Sequence, residues 1–386
     1  AGLLDALETC GQHGGPVRRP GPQHSNRRRK FIKILTGRSP SLTQLAKAGK
    51  DRPINEAATI IEMANAFYSS QVLFASSDLG VYAFLAESPG STVDQIASGC
   101  ELNPRGCRLL LDACVGVGLL TKLSGRYHNS KVAERHLVPG SPEDLSAAIR
   151  YNRDVYRSWG NLPEFARSGK PVESPETHLG EDPERTREFV LAMHGRALGI
   201  GRAVVPQLDL DRRRRLLDLG GGGGTYSVLI AQQHPEISCT VIDLPGVLTV
   251  AEKLIAEQGV GDRVRALPGD YHTIQLPEGH DAAILFGVLH QESADTIAGL
   301  LKRTYKALEP GGVVYVMDMM TDATRAAPEF SALFAVNMAL TTHHGWVFSD
   351  EELQAWLAAA GFVDIAVSPL EPPMPHWLVT ARKPGA

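Results

Sequence analysis

Cysteine, aromatic side chains and long apolar runs are scarce in this chain of 386 residues. Its five cysteines include no C-x-x-C pair, which argues against a disulfide framework and a zinc site and favours a reduced, cytoplasmic protein. No run approaches the roughly 18 consecutive apolar residues of a membrane helix. Lysine and arginine (39) nearly balance aspartate and glutamate (43), so charge does not point to nucleic acid as a partner. We therefore expect a globular protein that needs no metal, membrane or nucleic acid.

Composition and periodicity divide the sequence into three segments. Residues 1–52 are rich in glycine, proline and basic residues and predict a flexible extension; the arginine run at 26–33 lacks the apolar segment that an export signal requires. Residues 53–140 predict an amphipathic helix pair, two short helices and a hairpin that turns at Ser124, which is the outline of a winged helix. Residues 141–386 predict a helical lid and an α/β domain.

The winged-helix outline leaves two roles open, DNA binding and subunit assembly. In the helix at 104–116, which would be the DNA-recognition helix, only Arg105 and Arg108 are basic. A ligand-responsive DNA-binding regulator is therefore the weaker alternative, and we expect a dimerisation domain.

From residue 213 onward, apolar strands alternate with amphipathic helices, which we predict at 225–233, 246–258 and 295–308. The first of these strands ends at Leu219. This alternation is typical of α/β proteins with a doubly wound, Rossmann-like sheet. In such sheets the ligand lies at the carboxyl ends of the strands, where the strand order reverses.

The stretch LLDLGGGGGTY, residues 216–226, places five glycines between that strand and the next helix. Because glycine loses the most conformational entropy on folding, such a run indicates a close approach of the backbone to a ligand. Backbone amides at the start of a helix suit a polar or electron-rich group. The loop by itself does not distinguish NAD from S-adenosylmethionine or a phosphate ligand.

Acidic residues at the ends of three successive strands narrow this choice. Asp218 stands directly before the glycines, where its carboxylate would repel a pyrophosphate and suits an ammonium group. Asp243 ends the second strand, where an acid accepts from ribose hydroxyls, and Asp270 with Tyr271 ends the third, where the pair suits an adenine. Together they fit a positively charged nucleoside without phosphates. The alternatives are that these are turn and cap residues, or that the protein is an NAD-dependent oxidoreductase.

Five stretches, in order, resemble the metal-independent small-molecule O-methyltransferases, the group that includes caffeate, acetylserotonin and polyketide-tailoring enzymes. They are LLDLGGGGG, VIDLPGV, GDYHT, LFGVLHQES and ALEPGGVVYVMD, and the resemblance extends over about residues 55–383. It implies S-adenosylmethionine as cofactor and a homodimer with intertwined N-terminal helices. The cofactor-binding residues that it implies are Asp218, Gly220, Gly222, Asp243, Leu244, Asp270, Tyr271 and Phe286.

His290, in GVLHQES at the end of the fourth strand, is the candidate catalytic residue. An imidazole there can remove the proton of a phenol, or it can be a structural hydrogen-bonding group. The resemblance implies the first role, with Asp318 as a supporting acid. The family's second supporting acid is absent, since Val347 stands near its place. Gln291-Glu292 replaces the usual Asp-Trp, and Glu292 is a candidate substitute for the missing acid.

Segments that resemble the family's substrate-lining helices carry apolar, aromatic and histidine side chains. These suit a flat aromatic acceptor, although each of them can equally belong to the core. The candidate substrate-binding residues are Trp159, Phe189, Met193, His194, Met338, Thr342, His343 and Trp346. The sequence thus predicts an S-adenosylmethionine-dependent O-methyltransferase that acts on a hydroxyl of an aromatic or polycyclic small molecule in specialised metabolism. C- or N-methylation, and a decarboxylase or hydroxylase of the same fold, remain alternatives.

Overall fold

A computed structural model describes the chain over four ranges, apart from the side chains of residues 147 and 148: 56–141, 143–173, 182–371 and 374–385. The predicted extension, residues 1–52, lies outside the described residues. Contacts divide the chain into two compact units, residues 1–66 and 67–386. In the first unit the described residues form helix α1 (Glu56–Asn65).

The second unit begins with short helices and a hairpin. Their bounds are α2 (Phe67–Asp78), α3 (Val81–Glu87), α4 (Val93–Gly99), α5 (Pro104–Gly116), β1 (Leu120–Leu123), β2 (Arg126–Asn129) and α6 (Lys131–His136). The side chains of Thr92 and Asn103 cap α4 and α5 by accepting hydrogen bonds from amides of the first turns. The predicted helix pair is in fact three helices, α1 to α3, and Gly80, with φ of 71°, provides the break between α2 and α3. The hairpin turns at Ser124, as predicted.

Three further helices lead to the sheet. They are α7 (Ser146–Gly160), α8 (Leu162–Ser168) and α9 (Pro183–Val204), followed by a 3-10 turn at Val205–Gln207. The side chain of Asp182 caps α9, and Pro183 occupies its first turn, where the missing amide hydrogen costs nothing.

The rest of the second unit alternates between strands and helices. The strands are β3 (Arg215–Leu219), β4 (Ser238–Asp243), β5 (Val264–Pro268), β6 (His280–Phe286), β7 (Leu308–Asp318), β8 (Val363–Pro369) and β9 (Trp377–Arg382). The helices are α10 (Thr225–Gln233), α11 (Pro245–Glu257), α12 (Ala294–Ala307), α13 (Glu329–Thr341) and α14 (Asp350–Ala360). The predictions for α10 to α12 agree with these bounds to within one residue.

Strands β3 to β9 form a seven-stranded sheet in the order β5-β4-β3-β6-β7-β9-β8, separate from the hairpin of β1 and β2. β3 pairs in parallel with both β4 and β6, so the strand order reverses beside β3. β9 runs antiparallel to both of its neighbours. The usual dinucleotide-binding sheet has the order 3-2-1-4-5-6 with parallel strands. The inserted antiparallel β9 therefore distinguishes this sheet from the NAD-binding one.

Successive residues of the strands pack into two cores, one on each face of the sheet. Leu216 and Ile284 belong to one core, and their neighbours Leu217 and Leu285 belong to the other. Because both faces are covered, polar groups collect at the carboxyl edge, where the loops after β3 to β7 begin. None of the helices in the described ranges has the length and apolar character needed to cross a membrane.

Candidate active site

The loop between β3 and α10 contains two kinds of glycine. Gly220 has a φ of 64°, its amide donates to the carbonyl of Ile242 at 2.8 Å, and a Cβ there would lie 2.7 Å from Cγ2 of Val288. Gly222 has a φ of 55°, but no heavy atom of the described residues lies within 4 Å of its Cβ position. Protein packing therefore requires glycine at 220, whereas Gly222 presents an open backbone to a ligand.

Asp218 lies directly beneath this loop and is 1% exposed. Its Oδ2 accepts a hydrogen bond from Oγ of Ser227 at 2.7 Å. Burial, only partly offset by the Ser227 hydrogen bond, raises the pKa of Asp218 to about 7. A cation placed nearby would favour the carboxylate again, so this position suits an ammonium group.

Asp243, the last residue of β4, is hydrogen-bonded to the glycine loop. Its Oδ2 accepts from the amide of Gly222 and its Oδ1 from the amide of Leu244, both at 2.7 Å. Burial raises the pKa of Asp243 despite these two hydrogen bonds. Since each carboxylate oxygen has two lone pairs, both oxygens can still accept from hydroxyl groups such as those of a ribose.

Asp270 and Tyr271 follow β5 and belong to a network centred on the buried carboxylate of Glu292. The hydroxyl of Tyr271 donates to Oε1 of Glu292 at 2.6 Å, and Nε2 of Gln291 donates to that hydroxyl at 3.0 Å. His272 lies between two carboxylates, 2.6 Å from Oδ1 of Asp270 and 3.0 Å from Oε2 of Glu292. Burial lowers the pKa of His272, but the two carboxylates outweigh it and raise that pKa.

This network was not predicted, because it joins segments that are 20 residues apart in sequence. Burial raises the pKa of Tyr271 and keeps its hydroxyl protonated. For Asp270, burial raises the pKa, but the hydrogen bonds from His272 lower it by more. The pKa of Asp270 is therefore lowered, and this carboxyl stays ionised. The network therefore fixes an aromatic ring and a carboxylate side by side after β5.

His290 lies in the 3-10 turn Leu289–Gln291, just after β6 and beside the end of β7. Its Nδ1 is 2.7 Å from Oδ1 of Asp318, and its amide donates to Oδ2 of Asp318 at 3.2 Å. Asp318 is the last residue of β7 and is 1% exposed. With Nδ1 donating to this carboxylate, the neutral imidazole has an unprotonated Nε2 that can accept a proton. The ring of Phe334 packs edge-on against the imidazole.

Among the described residues, no second acid is hydrogen-bonded to His290. Val347 is buried in an apolar cluster. The carboxylate of Glu292 accepts from the two side chains of the network after β5 and not from His290. Asp318 is thus the acid that contacts the imidazole, and Glu292, the candidate substitute for the second acid, does not contact it.

Trp159 and Phe189 lie in a wall made by helices α7, α9 and α13. Nε1 of Trp159 donates to Oδ1 of Asn337 at 2.9 Å, and Nδ2 of Asn337 donates to the hydroxyl of Tyr151 at 3.2 Å. The rings of Tyr151 and Phe189 meet edge-on with their centroids 6.3 Å apart. Sequence reasoning missed Tyr151 and Asn337, since no local pattern links positions 186 residues apart.

Two other predicted substrate residues hold parts of the site together. Nδ1 of His194 is 2.8 Å from Oγ1 of Thr225, which joins α9 to the start of α10, and burial lowers the pKa of His194. The amide of Trp346 donates to the carbonyl of His290 at 2.9 Å, and its Nε1 donates to the carbonyl of Glu292 at 2.7 Å. The other predicted residues range from exposed to buried: His343 (exposed), Met193, Leu244 and Thr342 (half-buried), Phe286 and Met338 (buried).

Two family models match the chain, an O-methyltransferase dimerisation domain over residues 61–139 and an O-methyltransferase domain over residues 169–363. The chain belongs to the O-methyltransferase family. It is 32% identical to the tetracenomycin polyketide synthesis 8-O-methyl transferase TcmO of Streptomyces glaucescens, over 84% of this chain and 96% of TcmO. It is 29% identical to the 3-hydroxy-5-methyl-1-naphthoate 3-O-methyltransferase of Streptomyces sahachiroi, over 84% of this chain and 94% of that enzyme.

Two further relatives bear on the cofactor and on the acceptor atom. The crystal structure of human N-acetylserotonin methyltransferase in complex with S-adenosylmethionine matches with a TM-score of 0.78 and 29% identity, over 87% of this chain and 99% of that chain. The N,N-dimethyltransferase OxyT of Streptomyces rimosus is 28% identical, over 86% of this chain and 98% of OxyT.

This O-methyltransferase depends on S-adenosylmethionine, as predicted, and the carboxyl edge of the sheet fits that cofactor. Gly222 offers an open backbone, Asp218 suits a cation, and Asp243 can still accept from hydroxyls. Within the described residues, no group of three or more histidine, cysteine or acidic side chains is arranged to hold a metal ion.

Proposed function

We propose that this O-methyltransferase methylates a hydroxyl of an aromatic or polycyclic small molecule, with His290 as the general base. The 2.7 Å contact between Nδ1 of His290 and Oδ1 of Asp318 carries the proposal. It favours the tautomer whose Nε2 takes the proton of the acceptor hydroxyl. The carboxylate of Asp318 then stabilises the imidazolium that forms.

S-adenosylmethionine, when bound, supplies the electrophilic methyl group. The protein's part is to hold the acceptor oxygen in line with that group and to remove its proton, because a phenoxide is a far better nucleophile than a phenol. Asp318 on one side and the edge-on ring of Phe334 on the other restrict rotation of the His290 imidazole. This restriction keeps Nε2 aimed at one position.

An aromatic acceptor is supported by the wall of Trp159, Phe189 and Tyr151 and by the relatives that are named for polyketide and naphthoate substrates. The acceptor contacts that we propose are seven of the eight candidates from the sequence analysis: Trp159, Phe189, Met193, His194, Met338, Thr342 and His343. Of these, His194 has a hydrogen bond to Thr225, so its contribution includes the placement of α9.

For the cofactor, we propose that Asp218 receives the methionine ammonium, Asp243 the ribose hydroxyls, and Asp270 with Tyr271 the adenine. The remaining contacts are Gly220, Gly222, Leu244 and Phe286. We also propose an extension at 1–52, a dimerisation domain at 53–140 through which the protein forms a homodimer, and a lid with the methyltransferase domain at 141–386. The dimerisation model that matches residues 61–139 supports this division.

Replacing His290 tests the general-base role. His290→Ala is expected to lower kcat for a phenolic acceptor by about 10²–10⁴-fold, because proton removal then depends on solvent. The affinity for S-adenosylhomocysteine, measured by calorimetry, should stay unchanged. His234→Ala, at a half-buried histidine outside the site, is the matched control. Turnover of His290→Ala equal to that of the wild type would remove His290 from the mechanism.

N-methylation is the second candidate, and the similarity to the N,N-dimethyltransferase OxyT supports it. An amine that is neutral before attack needs no base to become nucleophilic. We therefore expect a matched phenol and aniline to separate the two candidates: only the phenol should lose turnover in His290→Ala. Mass spectrometry of the products identifies the methylated atom. Preferred turnover of the aniline by the wild type would favour the second candidate.

A further inference from the structure

Arg196 is a half-buried cation on α9 that the proposed mechanism does not use. Within the described part of the chain, no hydrogen bond or ion pair holds its guanidinium. Its place is fixed, because α9 is tied to α10 on both sides of it. His194 contacts Thr225 at 2.8 Å, and a Cβ at Gly201 would lie 2.5 Å from Cδ1 of Leu229. Partial burial of a guanidinium without a partner is costly, so the position calls for an anionic ligand.

The positive charge of Arg196 affects the pKa of three groups. They are Tyr151 of the aromatic wall, Tyr226 in the first turn of α10, and His376 just before β9. His376 precedes Trp377, whose strand partner is Asp318, so it stands at the same sheet edge as the catalytic pair. Tyr226 packs its ring against Phe286 at the end of β6.

His376 does not compete with Arg196 for an anion. It is 8% exposed, and among the described residues its Nδ1 has no hydrogen-bond partner. Burial, together with the charge of Arg196, lowers its pKa to about 4. At neutral pH the imidazole is therefore uncharged and adds no positive charge to that of Arg196.

Arg196 lies on the same face of α9 as Phe189 and Met193, which precede it by seven and three residues. Phe189 belongs to the aromatic wall, where its ring meets that of Tyr151. This register places the positive charge of Arg196 on the side of the aromatic wall, where we propose that the acceptor binds.

We propose that Arg196 binds a carboxylate of the acceptor, so that the substrates are hydroxyaromatic carboxylic acids. This inference rests on the proposed function, because it concerns the acceptor of that reaction. A guanidinium presents two parallel N–H donors to a carboxylate, which gives orientation as well as affinity. The carboxylate thereby fixes which hydroxyl of the ring reaches Nε2 of His290.

The test measures binding on protein saturated with S-adenosylhomocysteine, so that it does not depend on turnover. A hydroxynaphthoate and the matching hydroxynaphthamide are titrated by calorimetry into the wild type and into Arg196→Gln, Arg196→Lys and Arg202→Gln. We expect the wild type and the exposed control Arg202→Gln to prefer the carboxylate by about 10- to 100-fold in Kd. Arg196→Gln should bring the ratio of the two Kd values to about one, and Arg196→Lys should restore part of the preference.

Two results would overturn the proposal. One is a wild type that binds both probes equally, even if it methylates phenols as proposed. The other is an Arg196→Gln variant that loses affinity for S-adenosylhomocysteine but not for methylthioadenosine. That result would assign Arg196 to the methionine carboxylate of the cofactor. Failure of the proposed function would give a different result: the naphthoate would bind through Arg196, but no methylated product would form. Thermal unfolding of each variant shows whether it is folded.

Discussion

The protonation of Asp218 is the clearest single-residue consequence of burial in this protein. Its pKa of about 7 means that the cofactor-free enzyme carries a proton on this group through the weakly acidic range. If the methionine ammonium lies beside it, that cation lowers the pKa and the proton leaves. We predict the release of between about half and one proton per site when S-adenosylhomocysteine binds between pH 6 and 7. Calorimetry in buffers of different ionisation enthalpy measures this number.

Asp218→Asn is the control for this prediction, because it keeps the shape of the side chain but has no proton to release. The difference between wild type and variant isolates Asp218 from Asp243, whose pKa is also raised by burial. Equal proton release in both proteins would show that the ammonium does not contact Asp218. The residue would then serve only to hold Ser227, to which it is hydrogen-bonded.

At the scale of one element, the glycine loop separates folding from cofactor binding. Alanine at Gly220 has to adopt a left-handed backbone and to displace Val288, which would lie 2.7 Å from the new Cβ. We expect Gly220→Ala to lower the free energy of unfolding by about 2–4 kcal/mol. Gly222→Ala carries only the backbone strain, about 1 kcal/mol, because its Cβ position meets no protein atom among the described residues. Urea unfolding of the cofactor-free proteins measures both.

For cofactor binding we expect the opposite ranking of the two variants: Gly222→Ala should be the more severe. In Gly222→Ala the new methyl group occupies the open side of the loop, so we expect the folded variant to lose at least about tenfold in affinity for S-adenosylhomocysteine. Each glycine variant is thus the control for the other. Unchanged cofactor affinity in Gly222→Ala would mean that the cofactor does not approach this backbone.

The elements also show what local sequence can and cannot predict. Thr92 and Asn103 mark helix starts, and the acids at the ends of β3 and β4 could be assigned to one sheet edge, because caps and parallel strands follow from neighbouring residues. The bond between Asn337 and Tyr151 could not be predicted, because it forms only when α13 packs against α7. Glu292 shows the same limit: it directly follows the turn that contains His290, yet its carboxylate belongs to the network after β5.

On the scale of the whole molecule, the sheet brings distant parts of the sequence to one edge. β3 to β7 run parallel, so their carboxyl ends open on the same side and bring Asp218, Asp243, Asp270, His290 and Asp318 together. The groups that we propose for the cofactor and for the acceptor follow strands on either side of the point where the strand order reverses, between β3 and β6.

The proposed homodimer is tested best at helix α1, whose last five residues begin the segment matched by the dimerisation model. Ile60, Ile61 and Met63 on this helix are 63%, 60% and 67% exposed in the single chain. Large apolar side chains grouped in this way mark a surface that a partner covers. We predict a dimer by light scattering and a monomer for the double variant Ile60→Asp/Met63→Asp, since a charge in an apolar interface stays unpaired. Thr59→Asp, which adds one negative charge at an exposed polar position of the same helix, is the control. A dimer that survives the double variant would place the interface elsewhere.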